Sequence, residues 1–221
     1  MKVLKTLFNN FKNKFTKSKN DDNKINIEAK SVNIVDYVSD KTNTPTHEIM
    51  SKIDYSNIGE VEIINPNGTK TILTLDDIPY TSFLYYEDAS KIKEKYQLDI
   101  YNTFKVVRCL GPNAGLLAYK YFVIDKNPVD YGILDITLGQ RINVTGSWYM
   151  ELDGIDIAKY LREINPNFKF VLCTAHTVNK TNYIINTYNK KCLKIFKQEL
   201  DSFYLNKNSD RYINIYNLLN S

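Results

Sequence analysis

With 221 residues, of which 43% are hydrophobic and 24% charged, the chain can build one full domain plus additions and is not compositionally disordered. Its net charge of +4 is too mild to point to nucleic acid, and six lysines without a single acid in "MKVLKTLFNNFKNKFTKSKN" more than account for it. No apolar run reaches the roughly 18–20 residues that span a bilayer, and Cys109, Cys173 and Cys192 spell neither a disulfide framework nor a zinc knuckle.

Residues 1–20 predict a basic amphipathic helix, because Leu4, Leu7, Phe8, Phe11 and Phe15 fall on one face and lysines on the other. Such a helix suits docking on the domain, a peripheral contact with an anionic membrane, or a partner protein. Lys2 stands where N-myristoylation needs glycine. Residues 21–58 open with a polar stretch without period and are expected to be a linker. In 59–80, "EVEIINPNGTKTILTL" sets two β-rich runs around Pro66-Asn67-Gly68, the signature of a β-hairpin.

From residue 81 the pattern alternates. "TSFLYYED" reads as a strand, "ASKIKEKYQLDIYN" as a helix and "FKVVRCL" as a strand. "NAGLLAYKYFVID" is helical, "YGILDI" a strand, and "GIDIAKYLREINP" a helix that Pro166 ends. "FKFVLCTA" is a continuous apolar strand, "NKTNYIINTYNKK" a helix, "CLKIFK" a short strand, and "DRYINIYNLL" a closing helix. Five strands alternating with helices predict an α/β fold, a doubly wound five-stranded parallel sheet over 81–221.

Sites in such sheets gather at the carboxyl ends of the strands. Glu87 and Asp88 end the first predicted strand, Asp135 the third, Thr174 the fourth and Lys197 the fifth. Carboxylates brought together repel unless they recruit a cation, and oxygen-only ligands suit Mg²⁺. "TLGQRINVTGSWYMEL" (137–152), holding the sole tryptophan, Trp148, is a long loop beside that edge.

Three of these stretches carry a resemblance. "PVDYGILDI", "LDGIDIAKYLREINP" and "FKFVLCTAH" are similar to the third strand, third helix and fourth strand of the receiver domains of two-component response regulators. That resemblance implies a flavodoxin-like receiver fold with Asp135 as phosphoacceptor and Glu87, Asp88 and Asp135 around Mg²⁺. It further implies Thr174 as the hydroxyl that meets the phosphoryl group and Lys197 as its cation. The phosphoryl donor would be a histidine kinase or phosphotransfer protein, with no chemistry beyond phosphorylation and dephosphorylation of Asp135. Independently of the resemblance, lysines and asparagines interrupt any signal-peptide core and the cysteines do not pair, so a cytoplasmic protein is expected, with membrane association through residues 1–20 as an option. The chain departs from the pattern in its longer 137–152 segment, in Gln198 where a proline usually follows the lysine, and in Lys194 where a switch aromatic usually stands. The alternatives are a phosphorylation-independent pseudo-receiver binding module and, ranked last, an aspartyl phosphatase or mutase.

Overall fold

The computed structural model describes residues 44–79, 86–143, 149–175, 183–206 and 211–221. The basic helix expected over 1–20, Trp148 and most of the polar linker lie outside them.

The described chain opens inside the span expected to be a linker, and it is packed. Helix α1 (His47–Ser51) is capped by the Thr46 side chain, which accepts from the Ile49 amide, and it drives Met50 into the core. Strands β1 (Glu62–Ile64) and β2 (Thr71–Asp76) follow, then helix α2 (Tyr86–Tyr96), the short α3 (Ile100–Thr103) and β3 (Lys105–Leu110). Helix α4 (Ala114–Ala118) runs on as a π-helical stretch to Ile124 and leads to β4 (Tyr131–Asp135). A small antiparallel pair, β5 (Gln140–Asn143) and β6 (Tyr149–Leu152), precedes α5 (Gly154–Ile164) and β7 (Lys169–Thr174). Helix α6 (Tyr183–Phe196), a 3₁₀ turn at Leu200–Ser202, β8 (Tyr204–Asn206) and α7 (Arg211–Leu219) complete the chain.

The main sheet has six strands in the order β1-β3-β2-β4-β7-β8. All neighbours pair in parallel except β1, which lies antiparallel on the edge of β3. Both faces of the sheet are covered. Along each central strand alternate residues point to opposite cores: Ile72, Val106, Ile133 and Cys173 to one, Leu73, Val107, Leu134 and Leu172 to the other. The first core is closed by Ile92 of α2, Ile100 of α3 and Ile215 of α7, the second by Leu117 of α4, Leu161 of α5 and Ile185 of α6.

Three expected elements differ, each for a local reason. The runs around Pro66-Asn67-Gly68 do not pair with one another as a hairpin; β3 lies between them. Their turn crosses the start of β3, where Gly68 sits so close that a Cβ would lie 2.0 Å from the Lys105 amide nitrogen. The turn signal is therefore real, but it belongs to a split pair. The first parallel strand is consequently β2, not 81–88: residues 80–85 lie outside the described chain, and Tyr86, Glu87 and Asp88 form the first turn of α2. Acids are favoured there by the helix dipole, and Glu87 pairs with Lys91 one turn on, at 2.7 Å. "CLKIFK" is likewise no strand. Ile185, Tyr188, Cys192 and Ile195 follow helical spacing, so α6 continues to Phe196, and Lys197 at φ 60 ends it. The fifth parallel strand is β8.

Among the described residues, no helix is long and apolar enough to cross a membrane. Cys109, Cys173 and Cys192 are free and buried.

Candidate functional site

Strands β2 and β4 are neighbours at the centre of the sheet, and both end on carboxylates. Asp76, at 0% exposure, closes β2 and is followed by Asp77; Asp135, at 4%, closes β4. One carboxylate oxygen from each of these three residues lies within 4.8 Å of the other two. At such separations each pair of unit charges repels by about 3 kcal/mol at an effective dielectric of roughly 20. A hard divalent cation would offset that repulsion, and three carboxylate oxygens suit it.

The backbone around the cluster is tightly fixed. Asp76 Oδ1 accepts the Ile78 amide at 2.9 Å, and the Asp76 carbonyl accepts the Gly111 amide at 3.0 Å. Gly139, at φ +61, brings the chain after β4 back past Asp77. Helix α5 is seated directly on the other carboxylate-bearing strand: a Cβ on Gly154 would lie 2.0 Å from the Asp135 carbonyl oxygen, and the Gly154 amide bonds the Ile136 carbonyl at 3.1 Å.

Segment 137–152 is largely a β-ribbon rather than an irregular loop, with 144–148 outside the described residues. Gln140 fastens it to α4, accepting from the Leu116 amide at 3.1 Å and donating to Asn113 Oδ1 at 3.3 Å. Leu138, Ile142 and Leu152 bury into the core beneath.

Behind Gly154 lies a buried charge cluster that the sequence reading missed. Asp153 caps α5 by accepting the Ile155 and Asp156 amides, and Asp156 reciprocates by accepting the Asp153 amide. Lys191 of α6, at 2% exposure, reaches both carboxylates, 2.9 Å from Asp153 and 2.5 Å from Asp156. Burial and the neighbouring Asp153 charge push the Asp156 carboxyl up to about 7. Burial works against the Lys191 ammonium, but the two carboxylates outweigh it and hold its pKa above the ordinary lysine value. The signal was available in "LDGID": an aspartate three residues before another, opening an apolar helix.

The expected site residues thus separate into two groups. Asp135 and Thr174 stand at the carboxyl ends of β4 and β7, with Thr174 buried and in register with Asn206 of β8. Glu87, Asp88 and Lys197 have other settings. Glu87 is exposed, and its bond from Lys91 holds its carboxyl below the usual range. Asp88 bonds Arg211 of α7 at 2.7 Å, where burial raises its pKa against the pull of that guanidinium. Lys197 is exposed at the end of α6, a helix that runs back from the carboxyl edge, and its ammonium meets the Lys194 carbonyl. The missed acids are Asp76 and Asp77, legible in "ILTLDD" as the same pattern as "YGILD", an apolar run finishing on a carboxylate. Lys207, the next residue after β8 in the chain, lies outside the described residues.

Comparison with known proteins gives no significant match, whether with family models, curated proteins or solved structures.

Proposed function

We infer that this is a receiver-like signalling domain of flavodoxin-like topology, in which Asp135 accepts a phosphoryl group beside a divalent cation held by Asp76, Asp77 and Asp135. The observation that carries the reading is the convergence of those three carboxylates between β2 and β4. Counting only the parallel strands in chain order, the sheet runs 2-1-3-4-5. In that order the connections leave the first and third strands in opposite directions, and ligands bind in the crevice this opens. The acid cluster stands at that crevice.

The chemistry follows from the residues. A carboxylate oxygen of Asp135 attacks the phosphorus of a phosphohistidine on a histidine kinase or phosphotransfer protein; the P–N bond breaks, its electron pair goes to the ring nitrogen, and the imidazole, which already carries a proton on its other nitrogen, leaves neutral. Such a transfer asks mainly for positioning and neutralisation of the phosphoryl oxygens. Mg²⁺ at the three carboxylates would supply part of the positive charge. Thr174 is suited by its place at the end of β7 to donate its hydroxyl, and Lys207 takes over the role first expected of Lys197. With that reassignment Tyr204 stands three residues before the lysine, where the resemblance expects an aromatic, while Asn208 still replaces the proline.

A second reading, the phosphorylation-independent binding module, is favoured by one feature. The β5–β6 ribbon begins five residues after Asp135 and adds a protein surface beside the acids. Incubation with phosphoramidate and Mg²⁺, followed by intact mass, separates the two. Addition of one phosphoryl group, absent in Asp135→Asn, supports the acceptor; an unmodified wild type supports the binding module.

A further inference from the structure

We propose that the amino-terminal edge of the sheet carries a second site, which binds a small organic anion with a flat apolar body, carboxylate or phosphate at its head. A cavity of about 990 Å³ opens there between the segment before α1, the last turns of α5 and α6, and Phe203. It is at the upper end of the range for small-molecule sites, roughly 300–1,000 Å³. Its charged wall lies toward the far end of α5, whose first residue is seated on Asp135 and whose last turns carry Arg162 and Glu163, and Met150 of β6 completes the lining.

Two properties of the wall select the ligand. The first is charge. Lys159, Arg162 and Lys194 face a single acid, Glu163. That acid is already satisfied, 2.6 Å from Lys159 and 2.7 Å from His47 Nε2. Burial pushes the Glu163 carboxyl up, but its bonds from Lys159 and His47 prevail and hold it below its ordinary value. Arg162 and Lys194 therefore have no carboxylate partner among the described residues. Concave walls of one sign concentrate their field and attract the opposite charge. A guanidinium in such a wall matches carboxylate or phosphate with two parallel hydrogen bonds.

The second property is a rigid aromatic surface. Phe168 stacks on Phe170 at 5.5 Å, and Phe170 on Phe203 at 5.3 Å with planes only 4° apart. Phe196 braces the end of this column, 5.7 Å from Phe203. Phe196 and Phe203 line the cavity. Arg162 already lies over Phe170, 5.3 Å from the ring centroid, so its guanidinium is held in place before any ligand arrives. Stacked rings beside a pre-positioned cation bind a flat anion with little ordering cost.

The test is titration of the isotope-labelled full chain with 1-naphthoate, 1-naphthyl phosphate and neutral 1-naphthol, followed by backbone amide shifts. Saturable shifts at 194–198 and 203 are expected with at least one anion, whose relative affinities identify the head group. Naphthol should bind roughly tenfold more weakly or worse, as expected for loss of a charge-assisted hydrogen bond. The double variant Arg162→Glu with Lys194→Glu gives up the Arg162 contact with Phe170, so it should melt cooperatively a few degrees below wild type while losing anion binding by a similar factor. The proposal is overturned if neither anion binds, if naphthol binds as tightly as the anions, or if the folded double variant retains wild-type affinity.

Discussion

Replacing Lys191 with methionine should cost more stability than any surface substitution in this protein. The methionine fills nearly the same volume but removes the ammonium that lies 2.9 Å from Asp153 and 2.5 Å from Asp156. With Asp156 at 0% exposure and Asp153 capping the same helix, two carboxylates are then left buried without a cation. Removing one partner of such a buried pair costs about 3–5 kcal/mol. For a protein of this size each kcal/mol lowers the melting temperature by roughly 2–4 °C, so a fall on the order of 10 °C is expected. The loss should depend on pH. In the wild type, burial and the Asp153 charge push the Asp156 carboxyl up to about 7 from an ordinary value of 3.8. The folded state therefore holds a proton that the unfolded chain has released, and stability declines as pH rises through that window. Without Lys191 the same escape by protonation is needed more, so the penalty is larger at pH 8 than at pH 5. Adding Asp156→Leu should recover only part of the loss, because Asp156 also accepts the Asp153 amide. Thermal melts at the two pH values give the answer. A Lys191→Met protein melting within a couple of degrees of wild type at pH 8 would refute the buried charge cluster.

Other perturbations follow from the same geometry. Asp76→Ala or Asp77→Ala should weaken Mn²⁺ binding by about tenfold or more in calorimetric titration, whereas Glu87→Ala leaves it unchanged; the reverse pattern would move the cation to α2. Gly154→Ala drives a methyl group to 2.0 Å from the Asp135 carbonyl oxygen. Backbone cannot yield as a flexible side chain does, so a loss of about 1–3 kcal/mol or more is expected, and an unchanged melt would mean that α5 is not seated there. Tyr160→Phe removes the hydroxyl that donates to the Pro45 carbonyl. It should cost about 1–2 kcal/mol and speed amide exchange in α1; unaltered exchange there would show that this bond does not hold the segment.

Legibility in the sequence followed burial. Strands β3, β4 and β7 are apolar runs bounded by turn residues, and α5 carries its own start in Asp153 and its own stop in Asn165-Pro166, so all four stand out. Strand β2 was the deceptive one. It is buried on both faces, yet "TILTLD" contains two threonines and an acid and follows a strong turn, so it reads as a hairpin arm. Nothing local tells that β3, more than thirty residues on, inserts beside it. That single misplacement made Glu87 and Asp88, which open α2, read as strand-end acids in place of Asp76 and Asp77. A comparable ambiguity hid the last strand: "CLKIFK" and "FYLN" are both short apolar runs, and period alone does not separate a helix end from a strand. Asp135 and Thr174 were legible because their strands were. The Lys191 cluster was not, since a lysine in a helix reads as solvated until its partners are known.

The most direct measurement is to treat the protein with phosphoramidate and Mg²⁺, reduce any acyl phosphate with borohydride, and map the reduced residue by peptide mass spectrometry. Reduction occurs only where a carboxylate carried phosphoryl, so the readout names the nucleophile. The account predicts a single reduced aspartate, at position 135, and none in protein carrying Asp76→Ala with Asp77→Ala. Reduction at another residue, or no reduction where a conventional receiver domain is labelled under the same conditions, would contradict it.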